Sequence, residues 1–413
     1  MNYELFLAKR IIAGKQYKSS ISSSIIKIAI TAIALGIIIM LISIATGFGL
    51  QKKIKEKISG FNGHIQISNY EDNNSQITVS PISIDQEFYP KFTNVDGIKN
   101  VQAYASKAGI IRTEKDFEGV ILKGVGSDYD WSFFESYLIK GELLKITNER
   151  TDQVLISKIT ADRLNLKVRD TFNIFFMKDD PSESQAPNLR ILNIAGIYDS
   201  GFQEFDENYV IGDIKHVQRL NKWESNEIGG FEVLIEDFDD LEEKGNEVYR
   251  EVGSTLNAQT ISEKYGAIFE WLGLLDTNII VIIGIMILIA GINMITALLV
   301  LILERTQMIG ILKALGSSDW SIRKVFLYNA AYLISIGMFW GNLLGLALLF
   351  AQKYFGFIQL DPENYYVSEA PVYIDIGYVL LLNVGTLLLC LLMLLIPSYI
   401  VSKISPVKAI KFD

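Results

Sequence analysis

The sequence predicts an α-helical membrane protein with four transmembrane helices and one large mixed α+β domain outside the bilayer. Three observations lead there: four long apolar runs, their split of one and three around a polar block, and an uneven distribution of charge. Each run exceeds the ~20 residues a helix needs to cross ~30 Å of hydrocarbon at ~1.5 Å per residue. Half of the residues are hydrophobic and mean hydropathy is positive, at +0.27.

Residues 1–24 are basic and read as an N-terminal interfacial helix, followed by the first span at 25–50. Lys27 stands near the span's end, where it can reach the interface. The run is too long, and lacks the small-residue cleavage site, for a removed signal peptide.

The block 51–271 is the outer domain, large enough for a core of its own and expected to form two subdomains, the inner one at about 141–215. Residues 59–270 hold 37 acids and 21 bases, whereas the rest of the chain holds 10 acids and 17 bases. An acidic outer surface excludes nucleic acid, which needs a positive field. Alternating or β-branched runs at 64–68, 109–112, 119–125, 154–157, 171–176, 190–197 and 231–235 predict strands. Residues 159–166 and 240–256 predict helices. The stretch 178–188, with Asp179, Asp180, Pro181, Ser182, Ser184 and Pro187, is a loop or hairpin tip by composition. A plain solvated connector and a partner-docking tip fit it equally well.

The second span covers 272–303, with Asp276 near its end; the third covers 325–352 and the fourth 376–402. A link at 304–324 joins the second and third spans, a loop at 353–375 joins the third and fourth, and 403–413 is a tail. Lys9, Arg10, Lys15, Lys18 and Lys27, then Arg305, Lys313, Arg323 and Lys324, then Lys403, Lys408 and Lys411 place both termini and the link in the cytoplasm. The 353–375 loop is acidic except for Lys353, as an outer loop should be. Lys52, Lys53, Lys55 and Lys57 run against this orientation, but large domains translocate largely regardless of such charges.

Catalytic patterns are missing. The Gly14–Lys15 pair has Lys9 where a phosphate loop needs its first glycine and Gln16 after the lysine. No Gly-x-Ser-x-Gly or His-Glu-x-x-His occurs, and His64 and His216 have no cysteine companions for zinc. The expectation is no enzyme activity, metal or cofactor in this chain. The lone Cys390 excludes an internal disulfide.

Within the spans, Gly337, Gly341 and Gly345 recur every four residues, a stripe that lets a second helix approach closely. A helix of the same chain and a neighbouring subunit are both candidates. Asn293, Asn342 and Asn383 read as interhelical glue, and the absence of charge deep in the spans argues against an ion-coupled carrier. In the link, Met308, Ile311, Leu312 and Leu315 follow i, i+3, i+4, i+7 spacing and predict one apolar helix face. Gly316 is a plausible terminator, and Ser317 or Ser318 a cap for the next helix. Such a helix can lie in the interface or enter a partner's groove.

The link, Glu304-Arg305 followed by Ile309-Gly310-Ile311-Leu312-Lys313-Ala314-Leu315-Gly316, resembles the coupling segment of FtsX/MacB-type ABC transporter permeases. Phe6-Leu7-Ala8-Lys9-Arg10, Thr46-Gly47-Phe48 and Gly63-His64-Ile65 resemble the opening of the LolC/LolE permeases of the lipoprotein-releasing system. So do Leu360-Asp361-Pro362-Glu363-Asn364-Tyr365-Tyr366-Val367, Pro371-Val372 and Ser405-Pro406-Val407-Lys408-Ala409-Ile410. The chain departs from the family at Ser157, with Ile159, Thr160 and Ala161 following, and at Arg169 before Asp170, where the family tends to have glycine.

The resemblance implies a type VII ABC exporter, MacB-like, in the inner membrane with its large domain periplasmic. Two permease subunits, identical or paralogous, would dock on a cytoplasmic ABC ATPase dimer that holds the ATP and magnesium. It further implies lipoprotein cargo lifted out of membrane lipid and passed to a periplasmic lipoprotein chaperone. On that reading Glu304, Arg305, Met308, Ile311, Leu312, Lys313, Leu315 and Gly316 couple to the ATPase. Met40, Ile44 and Phe48 with Ile279, Ile283 and Met286 line the acyl-chain path, and the 178–188 loop stands where the family carries a chaperone-docking hook. Two other readings stay open: a mechanotransmission permease for efflux or cell-wall hydrolase regulation, and an anchored receptor or scaffold without an ATPase.

Overall fold

The computed structural model describes residues 3–13, 21–70, 80–113, 116–176 and 187–405. In chain order the elements are α1 (Tyr3–Ala13), α2 (Ile21–Asn62), β1 (Ile65–Asn69), β2 (Ile82–Ser83), β3 (Ile98–Arg112), β4 (Phe117–Val125), α3 (Ser132–Tyr137), β5 (Leu138–Gly141) and β6 (Gln153–Ser157). Next come α4 (Lys158–Arg163), β7 (Thr171–Phe176), β8 (Asn188–Tyr198), α5 (Gln203–Asn208), β9 (Tyr209–Asp213), α6 (Ile214–Asn221), β10 (Glu227–Ile228) and β11 (Gly230–Ile235). The chain continues as α7 (Leu241–Glu251), β12 (Leu256–Thr260), α8 (Ile261–Lys264), α9 (Gly266–Glu304), α10 (Thr306–Ala314) and α11 (Asp319–Phe355). It closes with α12 (Pro362–Tyr365), α13 (Ile376–Ser398) and α14 (Ile400–Lys403). These divide into two compact units, one around the apolar helices and one comprising Lys52–Glu270 with Leu360–Ser368.

In the apolar unit, α2, α9, α11 and α13 with α14 are each long and apolar enough to cross a membrane. The first and second apolar runs are parts of longer helices. At ~1.5 Å per residue the 42 residues of α2 extend ~63 Å, about twice the thickness of hydrocarbon. The glycine stripe of α11 is the seat of α2. A Cβ on Gly337 would lie 2.8 Å from Ile33 Cβ, and one on Gly341 would lie 2.7 Å from Ile37 Cβ and 2.8 Å from the Ala34 carbonyl. A Cβ on Gly345 would lie 3.1 Å from Leu41 Cδ1. That face of α11 is therefore taken up inside the subunit. Asn342 and Asn383 exchange amide hydrogen bonds of 2.6 and 2.9 Å between α11 and α13, whereas Asn293 donates only to Ile289 of its own helix. Gln51 of α2 donates to the Leu272 carbonyl and to Asp276 of α9, so the polar groups that flank the apolar stretches of these two helices satisfy each other.

The second unit is built on a ten-stranded sheet of order β12-β1-β11-β3-β4-β9-β6-β8-β5, with β7 pairing to β3 and β8. Most ladders are antiparallel; β4 with β9 and β6 with β8 run parallel. The inner stretch expected at about 141–215 shares the sheet with the rest of the block, since β9 pairs with β4 and β7 with the end of β3. β7 covers the stretch read from alternation, and β3 is longer than expected, since its first half pairs with β11. The helix expected over 240–256 ends at Glu251, and Gly253 turns the chain with φ of +82° before β12 begins. One face of the sheet packs against α6 and α7: Gly124 of β4 lies against the Ile214 backbone, and Gly245 of α7 against Thr260.

Candidate functional site

The C-terminal end of α2 is locked into the second unit by polar and aromatic groups together. A helix end leaves carbonyls without intrahelical partners. Here Lys123 of β4 donates to the Phe61 carbonyl, and Gln66 of β1 donates to the Asn62 carbonyl at 3.1 Å. A cation at a helix C-terminus also complements the helix dipole. Lys123 and Glu232 are 3% and 1% exposed and form an ion pair of 2.7 Å, and Gln102 donates to the other Glu232 oxygen at 2.9 Å. Burial pushes the Lys123 ammonium down, and Glu232 opposes that shift. The Phe61 ring is fully buried and stacks on Phe205 at 4.4 Å, with Phe134 and Tyr209 at 5.9 and 5.0 Å. Gly63, with φ of +71°, then turns the chain into β1. His64 accepts from the Ile235 amide through Nδ1 and rests against Phe238, so it splices helix to sheet. Burial pushes its imidazole down to about 4, which keeps it neutral.

Leu360–Ser368 belongs to this same unit, and the motif there folds as a clip. Asp361 caps α12 by accepting from the Glu363 amide, and Tyr366 adopts the left-handed conformation at its end. The Tyr366 ring stacks on Phe202 at 4.9 Å, and its carbonyl accepts from Lys57 at 3.2 Å. Sequence reasoning found this motif only through family resemblance. Its contacts depend on Phe202, whose place in the fold nothing local announces.

In the apolar unit, α10 does not present the single face expected. Ile309 and Gly310 are buried, and Met308 and Leu312 pack against the helix core. Ile311 and Leu315 turn outward, 47% and 79% exposed, and Glu304, Ala314, Gly316 and Trp320 are exposed beside them. The physical reason is that a short helix lying on a bundle must bury one stripe inward, and Leu312 belongs to that stripe. Arg305 precedes α10 at its N-terminus. Lys313 points inward to donate to the Ser402 and Ile404 carbonyls and pairs with Asp319 at 2.9 Å. Arg323 similarly donates to the Leu395 carbonyl in the last turn of α13, and α1 is tied on by Glu4, which accepts from Ser321.

The six residues expected to line an acyl-chain path do not share one open cleft. Met40 is fully buried in the helix core, and Ile44, Ile283 and Met286 pack against that core. Phe48 stacks on Tyr378 of α13 at 4.8 Å, and Ile279 is buried against Gly47. Of the 178–188 loop, Asp179, Asp180, Pro181 and Ser182 lie outside the described residues, while Pro187 is exposed at the start of β8.

The family departures have local accounts. Ser157 caps α4 by accepting from the Thr160 amide. Arg169 takes φ of +76° in the turn where Asp170 accepts from the Lys167 amide.

The MacB-like periplasmic core domain model matches residues 28–248, and the FtsX-like permease C-terminal model matches residues 280–406. The chain is 22% identical to the lipoprotein-releasing system transmembrane protein LolC of Neisseria meningitidis, with 99% of each chain covered. It is 21% identical to the LolC of Buchnera aphidicola, covering 94% of each, and 21% identical to the LolE of Haemophilus influenzae, covering 99% of each.

Proposed function

The chain belongs to the MacB-like permeases and is of the LolC/LolE type, and from that premise we propose that it couples ATP hydrolysis on a separate subunit to lipoprotein release. In this reading it is one of two permease subunits in the inner membrane, with both termini cytoplasmic. The cargo leaves the membrane toward a periplasmic chaperone. The observation that carries the coupling is α2, one unbroken helix from the apolar unit into the second unit, its end held by Phe61, Lys123 and Gln66. A continuous helix resists axial stretch and compression because either distorts its backbone hydrogen bonds, so an axial push at one end is carried toward the other. α9 is likewise unbroken over 39 residues. Burying acyl chains is worth ~0.8 kcal/mol per CH₂, so pulling a lipid anchor out of a bilayer needs the work that ATP supplies.

The ATPase contact is assigned to the outward stripe of α10, Ile311 and Leu315, with Glu304 and Gly316 at its ends. Met308, Leu312 and Lys313 support it from within. Reconstitution of the chain with its ATPase and second permease subunit tests the whole reading by ATP-dependent transfer of a lipid-modified protein to a soluble acceptor. Ile311→Glu and Leu315→Glu are expected to abolish ATPase co-purification while the permease still inserts. Leu312→Glu instead acts on the helix core and lowers the thermal midpoint. Full co-purification with both outward variants refutes the assignment, and ATP turnover without transfer of lipid-modified protein refutes the cargo.

A further inference from the structure

A cleft of about 670 Å³ lies entirely within the second unit, on the sheet face opposite α6 and α7. That volume falls inside the ~300–1,000 Å³ typical of ligand sites. Its floor comes from alternate residues of neighbouring strands, which share one face of a sheet: Gln66 and Ser68 of β1, Ser106 of β3, and Asn257 and Gln259 of β12. Tyr209 and Tyr265 stand at its sides, and Ile121 is the one aliphatic side chain in its lining. Asn62 and Tyr265 also line it. The first is the last residue of α2 and the second immediately precedes α9, so an occupant touches the roots of both long helices.

The chemistry selects among occupants. An acyl chain would desolvate the lysines, glutamates and carboxamides of the lining without offering any of them a hydrogen bond. An anionic headgroup finds a lining of two lysines and three glutamates, and Lys123 is already engaged by Glu232 and the Phe61 carbonyl. Carboxamides and hydroxyls spaced across strands ~4.8 Å apart offer donors and acceptors together, which is what a peptide backbone presents. We infer that this cleft holds a short, polar, extended stretch of polypeptide. Its identity as the part of the cargo next to the acylated residue rests on the proposed function; the peptide chemistry of the cleft does not.

The test uses the full chain assembled with its partner subunits in lipid nanodiscs, loaded with a purified lipid-modified protein. A photo-cross-linking residue replaces Ser106, or Gln259, or Phe117 as an exposed control. Adducts at Ser106 and Gln259 should map to cargo peptides adjoining the acylated residue, exceed those at Phe117, and fall on ATP turnover. Phospholipid adducts alone, cargo adducts no stronger than the control, or adducts to remote parts of the cargo overturn the inference, even where release proceeds normally. Peptide capture in the cleft without any ATP-driven release keeps the inference and rejects the lipoprotein-release reading. As a second arm, Ser106→Trp narrows the cleft and should slow release about tenfold, the equivalent of ~1.4 kcal/mol, with the thermal midpoint unchanged. Undiminished release by a folded Ser106→Trp chain overturns the inference; if that variant unfolds, the cross-links at Gln259 decide.

Discussion

Lys123→Met is the perturbation that probes the lock between α2 and the sheet most directly. It keeps much of the side-chain volume but leaves Glu232, 1% exposed, as a buried carboxylate whose ion-pair partner is gone. Removing one member of a buried pair costs ~3–5 kcal/mol. The Phe61 carbonyl loses its donor as well, and a deprived buried carbonyl costs ~1–3 kcal/mol. In a unit of this size each kcal/mol moves the thermal midpoint by ~2–4 °C, so the two costs together should lower it by roughly 8–32 °C in fluorescence-monitored unfolding in detergent. Glu232→Gln in the Lys123→Met background removes the stranded charge and should recover most of the loss, a coupling of ~2–3 kcal/mol in a double-mutant cycle. The double variant still lacks the donor to Phe61. It is expected to hydrolyse ATP while releasing cargo poorly, because the grip on α2 is not restored. A single variant within ~2 °C of wild type, or a double variant as unstable as the single, refutes the account.

Burial pushes the Asp206 carboxyl up to about 6, although it accepts from Ser200 Oγ and the Gly201 amide. A folded-state value above the unfolded ~3.9 means its stabilisation is full at low pH and is lost as pH rises through about 6. Wild type should therefore gain up to ~3 kcal/mol over Asp206→Asn in pH dependence between pH 7.5 and 4. The neutral His64 works in the opposite direction as pH falls from 6.5 toward 4, so the comparison between the two chains, rather than either curve alone, is the measurement. Arg169→Gly relieves a left-handed backbone and should raise stability by ~1 kcal/mol in denaturant unfolding. Gly341→Leu drives a side chain into Ile37 and the Ala34 carbonyl, so the α2–α11 contact should loosen by ~1–3 kcal/mol, read as a lower midpoint and faster proteolysis. Replacing residues 179–187 by a short Gly-Ser linker should leave the unit folded, since loop length costs little, and should abolish cross-linking to a periplasmic acceptor. Persisting cross-links would make the segment a connector.

The four spans were legible because their signal is local and one-dimensional: length and hydropathy suffice to choose a helix that satisfies its backbone in lipid. The same holds for β7, where alternation marks one buried and one exposed face; the end of α7 was placed too late, at 256, although the helix stops at Glu251 and Gly253 turns the chain. β9 and α6 escaped. β9 lies inside the sheet beside β4 in parallel, so its identity comes from a partner distant in sequence. For α10, periodicity found an apolar stripe, but which part faces inward depends on the helices beneath it. Hence Leu312 supports and Leu315 is exposed. The glycine stripe showed that a helix approaches closely without saying which, because only packing brings Ile33, Ile37 and Leu41 of α2 to it.

What the sequence determined by itself is the membrane class, the one-and-three division of the spans, the acidic α+β block and, through its end motifs, the permease type. What only the tertiary structure decided is how the end of α2 is held in that block and where a cleft opens in it. Lys123 reads as an ordinary lysine in an apolar strand, and Glu232 as an ordinary glutamate in another. Their burial, their pairing and their hold on the end of α2 exist only once β4, β11 and α2 are brought together. Hydrophobic length is a property of a segment and survives in isolation. Desolvated charge pairs and concave polar surfaces are properties of neighbours, and a chain acquires neighbours only by folding.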